Sequence, residues 1–187
     1  GGIDPLAGHG TFIAGLVHQA CPDADILAWR IVGSDGPVIE SDLVKALGDE
    51  GLLELVFAGS AVELCELREG LAHGCTEAET ALALQGLGGH PILRNEVLRG
   101  EWIPRLAAGD AVAAFALSEP ESGSDVASLT LRAEPDGDGY RLTGEKTWIS
   151  NAPDADLYSV FARTSEAGAK GITAFAVPRE ADGLTGE

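Results

Sequence analysis

The 187-residue chain sets 30 Asp and Glu against 12 Lys and Arg, a formal net charge of −18, and 45% of its residues are hydrophobic. That length buries a sizeable core in one or two domains, and the apolar content excludes an intrinsically disordered chain. The negative charge opposes nucleic-acid phosphates and anionic membrane, and no apolar run is long enough to cross a bilayer, so a soluble, cytoplasmic protein with neither partner is expected.

Methionine is absent and residue 1 is glycine, so a fragment or processed product is expected; abundant Gly and few Lys relative to Arg suggest a bacterial, GC-rich coding bias. In chain order, Phe12, Ile13, Leu16, Val17 and Ala20 fall on one side of a helix that Cys21-Pro22-Asp23 stops. Ile26 to Val32 reads as a short buried strand, Ser34-Asp35-Gly36-Pro37 as a turn, and Ser41-Asp42 as the cap of a helix through Leu43 to Leu47. Residues 1–45 thus read as a helix–strand–helix piece of α/β type.

Within that piece, Gly8-His9-Gly10-Thr11-Phe12-Ile13-Ala14-Gly15 resembles the histidine motif of subtilisin-like serine peptidases. The resemblance implies His9 as a general base toward a serine, with an aspartate orienting its ring. The partners are missing. Asp4 precedes Pro5 and does not match the aspartate turn of that family, and no Gly-Thr-Ser occurs. A lone histidine has no nucleophile to activate.

A seam is expected at residues 41–50, followed by a helical segment over residues 46–110. Leu64, Leu67 and Leu71 form a helical stripe that Gly70 and Gly74 weaken near its end. Thr76-Glu77-Ala78-Glu79 has capping-box spacing and predicts a helix through Leu82, Leu84 and Gln85, ended by Gly86-Leu87-Gly88-Gly89. Pro91 suits the first turn of a third helix that Gly100 ends. Cys65, His73 and Cys75 read as small buried or partly buried residues of this region, with no metal site.

Residues 111–187 read as six short strands: Ala111 to Leu117, a strand carrying Leu129, Leu131 and Ala133, its partner with Tyr140 and Leu142, then Lys146 to Ser150, Leu157 to Arg163 and Ile172 to Val177. Pro135-Asp136-Gly137-Asp138-Gly139 is the turn of a hairpin, and Pro178 ends the last strand. The predicted fold class is α+β: a helical segment followed by a small antiparallel β-barrel domain, with the α/β-type piece at the N-terminus.

Phe115-Ala116-Leu117-Ser118-Glu119-Pro120-Glu121-Ser122-Gly123-Ser124-Asp125 and Gly144-Glu145-Lys146-Thr147-Trp148-Ile149-Ser150-Asn151 resemble the two flavin-contacting segments of the acyl-CoA dehydrogenase family. The resemblance covers about residues 46–187, as the later N-terminal α-domain and the middle β-domain. It implies FAD as cofactor, lined by Phe115, Ala116, Leu117, Ser118, Glu119, Pro120, Gly123 and Ser124. Ser118 would bond the ring, Trp148 cover its face with Ile149 beside it, and Ser150 reach toward N5. It further implies α,β-dehydrogenation of an acyl-CoA thioester, with Ser124 contacting that substrate, and a family habit of forming homo-oligomers. Gln85 matches a region near the acyl-chain pocket, with a helix-end polar role as the simpler reading. The domain carrying the family's catalytic base and most of its oligomer interface would begin beyond Glu187, and no acidic residue here matches that base. Expected is half a flavin pocket with little or no turnover; a peptidase fragment resting on His9, or a non-catalytic chimeric product, is the alternative.

Overall fold

Five helices form in succession because apolar residues recur at helical spacing between short breaks, and the computed structural model describes them within residues 40–186. They are α1 (Glu40–Asp49), α2 (Leu52–Ala58), α3 (Ala61–Gly74), α4 (Thr76–Gly89) and α5 (Glu96–Ala107), with a 3-10 turn at His90–Arg94 before the last. Leu43, Val44 and Leu47 of α1 pack with Leu53, Val56, Ala78, Ala81 and Leu82 in one buried cluster. The stripe Leu64, Leu67 and Leu71 of α3 lies against it, half-buried, as its spacing predicts. His9 and the helix–strand portion of the first segment lie outside the described residues, while the expected seam at 41–50 falls on α1 and the residue that follows it.

Four local expectations fail. The capping box belongs to α3: the Ser60 hydroxyl accepts from the Glu63 amide and the Glu63 carboxylate accepts from the Ser60 amide. Thr76 instead opens α4 without a side-chain cap, and Glu79 is drawn away to Arg68. Gly86 and Gly88 do not end α4 but lie inside it, and only Gly89 is its last residue; the helix presses on its neighbours along this stretch. A Cβ on Gly88 would sit 2.6 Å from the Ala113 Cβ. Gly100 likewise lies within α5, which starts from the Asn95 cap. Cys65 and Cys75 are exposed, contrary to the burial expected of them.

Five strands, not six, follow: β1 (Ala113–Ala116), β2 (Arg132–Asp136), β3 (Gly139–Thr143), β4 (Leu157–Arg163) and β5 (Ile172–Pro178). Strand β4 is the centre and is buried along almost its whole length, as a strand paired on both edges between two covered faces must be. One edge takes β1 in parallel and, at Arg163, β2; the other edge takes β5 antiparallel. The β2–β3 hairpin turns at Gly137, whose φ of 61° suits glycine. The expected antiparallel barrel is therefore corrected to an open, mixed sheet: both edges of β4 are used, and β3 and β5 do not pair to close it. The expected strand at Lys146 to Ser150 is a loop, broken by left-handed backbone at Trp148 (φ 58°) and Asn151 (φ 68°).

Helices and sheet meet through α4 and β1. The fully buried Gln85 side chain donates to the carbonyls of Leu106 (3.1 Å) and Ala111 (2.7 Å) and accepts from the Ala113 amide (2.9 Å). The Ser159 hydroxyl of β4 donates to the Gly88 carbonyl at 2.6 Å. These bonds fix the end of the helical layer against the start of β1. The opposite face of the sheet is closed by Ala114, Ala116, Leu131, Ala133, Tyr158 and Val160.

Candidate functional site

Strand β1 delivers Phe115 onto the helix-facing side, where its ring lies 4.9 Å from that of Phe161. After Ala116 the chain leaves the sheet and makes a tight turn at Glu119-Pro120-Glu121-Ser122. The Glu119 amide donates to the Ser122 carbonyl (2.7 Å) and the Ser122 amide to the Glu119 carbonyl (3.2 Å). Proline suits the second position of such a turn because its φ is already set. The Ser122 hydroxyl then donates to the Asp125 carbonyl at 2.6 Å.

A recess of about 190 Å³ opens beside this turn. It joins Phe115, Leu117 and Ser118 from the first segment to Trp148, Ile149 and Ser150 from the second, across thirty residues of sequence. Leu84 and Leu87 of α4 and Ala113 of β1 complete it. Those three were not singled out from the sequence, although Leu84 and Leu87 stand three apart on one helix face. Trp148 is 91% exposed, an unusual placement for a tryptophan, in a left-handed conformation costly for a bulky side chain. Among the described residues the Ser118 hydroxyl has no hydrogen-bond partner.

The other residues of the two segments sit elsewhere. Ala116 is buried in the sheet's far face, Pro120 and Ser124 are exposed, and Gly123 lies over Ser118, where an added Cβ would stand 3.8 Å from the hydroxyl oxygen. Glu119 points inward and is nearly inaccessible. One carboxylate oxygen accepts from the Thr130 amide (2.7 Å) and hydroxyl (2.8 Å), the other from the Leu131 amide (3.0 Å) and the Lys146 ammonium (2.9 Å). Burial, the largest influence, works to raise the Glu119 carboxyl. The Thr130 amide, the Lys146 ammonium, the Leu131 amide and the Thr130 hydroxyl outweigh it and hold the group down to about 2 from an ordinary 4.5. Lys146 is pulled down chiefly by burial, against the raising effect of Glu119. The two directions oppose one another, and four donors on one carboxylate decide for the ionised pair.

The loop bearing Trp148 is pinned at both ends to the first segment. Lys146 also donates to the Leu117 carbonyl (2.8 Å), and the Thr147 amide donates to the Ser118 carbonyl (2.9 Å). Beyond the loop, the Asn151 side-chain amide donates to the Ala113 carbonyl at 2.9 Å. Among the described residues, none that lines the recess is titratable. The arrangement presents an aromatic wall, apolar floor and hydroxyls, suited to holding a flat ring with acceptors on its edge.

A helical layer seated on an open sheet, with such a recess at their junction, is the frame found in a class of flavin- and thioester-handling enzymes. Residues 114–187 match the family model described as "Acyl-CoA dehydrogenase, middle domain". The chain is 35% identical to cyclohexane-1-carbonyl-CoA dehydrogenase of Geobacter metallireducens over 178 residues, which covers 90% of this chain and 47% of that relative. It therefore reaches back into the first 45 residues. A glutaryl-CoA dehydrogenase from Mycobacterium smegmatis, solved in complex with FADH2, superposes with a TM-score of 0.69 at 36% identity, over 78% of this chain and 39% of that one. A glutaryl-coenzyme A dehydrogenase in complex with glutaryl-CoA gives a TM-score of 0.65 at 31% identity, over 73% and 38% of the two chains. Over residues 114–187 the chain carries the middle domain of the acyl-CoA dehydrogenase family. It spans less than half the length of these relatives. Among the described residues, no helix is long and apolar enough to cross a membrane.

Proposed function

We propose that the recess takes the isoalloxazine ring of FAD and that the chain contributes one wall of an oxidoreductase site acting on acyl-CoA thioesters. The observation that carries this reading is the convergence of Phe115, Leu117 and Ser118 with Trp148, Ile149 and Ser150 on one recess. The residues fit the group: an exposed indole offers a face for stacking, and the Ser118 and Ser150 hydroxyls offer donors to ring acceptors. Ser124, exposed beyond the turn, is the residue proposed to meet the thioester substrate. When bound, the flavin accepts a hydride equivalent, and the protein's share is binding and orientation.

Here Trp148 shields one ring face, while Phe115 and Leu117 exclude water beneath it. Proton abstraction falls to a group outside the recess lining. Glu119 is unsuited to it: its carboxylate is already engaged by four donors and is held near 2. This reading takes residues 46–110 as a partial α-domain and residues 111–187 as the middle β-domain, with an oligomeric assembly in the intact protein; no observation favours hydrolysis through His9. The test is titration with FAD, followed by visible absorbance and then gel filtration. A saturable spectral change that Trp148→Ala weakens, with flavin shed on the column, is expected. An unaltered flavin spectrum would overturn the site, and stoichiometric comigration would overturn the one-wall description.

A further inference from the structure

Glu119 and Lys146 are largely buried charges outside the recess lining, and they hold together three segments that sequence places far apart. The Glu119 carboxylate binds Thr130 and Leu131, and Lys146 binds both that carboxylate and the Leu117 carbonyl. Two residues after Lys146 stands Trp148, 91% exposed and left-handed, with little packing against the described residues to hold it there. Such a conformation persists only when its surroundings over-determine it. The surroundings here are the Lys146 and Thr147 bonds on one side and the Asn151 bond on the other, all made to residues 113–119. We infer that Glu119 and Lys146 act as positioning residues, a buried clamp that aims Trp148 across the mouth of the recess. The inference rests on the flavin reading for its purpose, though the clamp itself is testable without flavin.

The full 187-residue chain is labelled with 5-fluorotryptophan and the Trp148 resonance assigned by its loss in Trp148→Phe. In Glu119→Gln, and in the double variant Glu119→Gln/Lys146→Met, the Trp148 resonance shifts and narrows while that of Trp102 stays in place. The double variant removes both buried charges, so it folds where the single variant fails and still releases Trp148. Leu82→Ala serves as the comparison: it loosens the helical core and leaves the Trp148 resonance where it was. FAD binding to the double variant weakens about tenfold. A Trp148 resonance unchanged in the folded double variant overturns the clamp, as does an equal shift in Leu82→Ala. Absence of flavin binding to the parent chain overturns the functional reading instead, with the clamp judged on the resonance alone.

Discussion

The helical layer and the sheet of this chain are held by different means. Leu47, Leu53 and Leu82 lock the helices as fully buried apolar side chains, each worth about 1.5–3 kcal/mol relative to exposure. The sheet's loops are held by buried polar hubs. Arg163 donates to the carbonyls of Leu129, Ser165, Gly168 and Ala127, Glu119 accepts four bonds, and Gln85 makes three. Apolar contacts are non-directional and tolerate small shifts, whereas a hub fixes the direction of every segment it touches. The recess stands where the second kind of order meets the first.

If that contrast is right, the sharpest damage comes from breaking a hub. Glu119→Gln leaves the Lys146 ammonium buried without its counter-charge, at a cost of about 3–5 kcal/mol by urea denaturation. The same carboxylate gives an acid signature. Its folded value of about 2 lies below the ordinary 4.5, so its contribution is complete above that ordinary value and drains away as pH falls toward 2. Denaturation midpoints followed across this window should fall more steeply in the parent than in Glu119→Gln; parallel slopes would contradict the hub. Next in size is Gln85→Leu, which strands the carbonyls of Leu106 and Ala111 and the Ala113 amide. A loss on the order of 3 kcal/mol is expected, with slower flavin-independent refolding not required. A loss no larger than that of a surface substitution would mean that water replaces all three bonds.

The same contrast explains what could be read from the sequence. The stripe of Leu64, Leu67 and Leu71 announces itself by periodicity, and the hairpin at Gly137 by its turn residues. The glycines of α4 mislead because close approach to Ala113 and Phe57 is a tertiary fact that local propensity cannot contain. Ser60-Ala61-Val62-Glu63 carried the capping-box pattern openly, and a scan for it at every helix start would have found it. The sheet's openness was not legible, since six strand-like segments with tight turns suit a barrel equally well. Both recess segments were visible as motifs, but the partners of Glu119 were not: nothing in the spacing tells that an acidic residue in a turn faces inward to Thr130, Leu131 and Lys146.

A smaller effect tests the helical side. Ser60→Ala removes the hydroxyl half of the α3 capping box; the residue-60 amide, the larger of the two Ser60 groups that hold the Glu63 carboxyl below the ordinary range, stays in place. About 1 kcal/mol is expected, visible as a modest drop in melting temperature by circular dichroism. A null result would assign α3 entirely to its packing against the core.

The smallest stability effect is predicted at the most conspicuous side chain. Trp148 is 91% exposed, so its removal uncovers little apolar surface, and its φ of 58° is a conformation glycine adopts freely. Trp148→Gly therefore relieves backbone strain of about 1–3 kcal/mol while losing a comparable amount to the greater freedom of glycine in the unfolded chain and to the few contacts surrendered. The melting temperature should stay close to that of the parent, while the flavin response of the recess is lost. A residue kept at a strained position for packing would behave in the opposite way, lowering stability sharply on removal. Retention of stability with loss of ligand response would mark Trp148 as a side chain that the fold holds out for something else to meet.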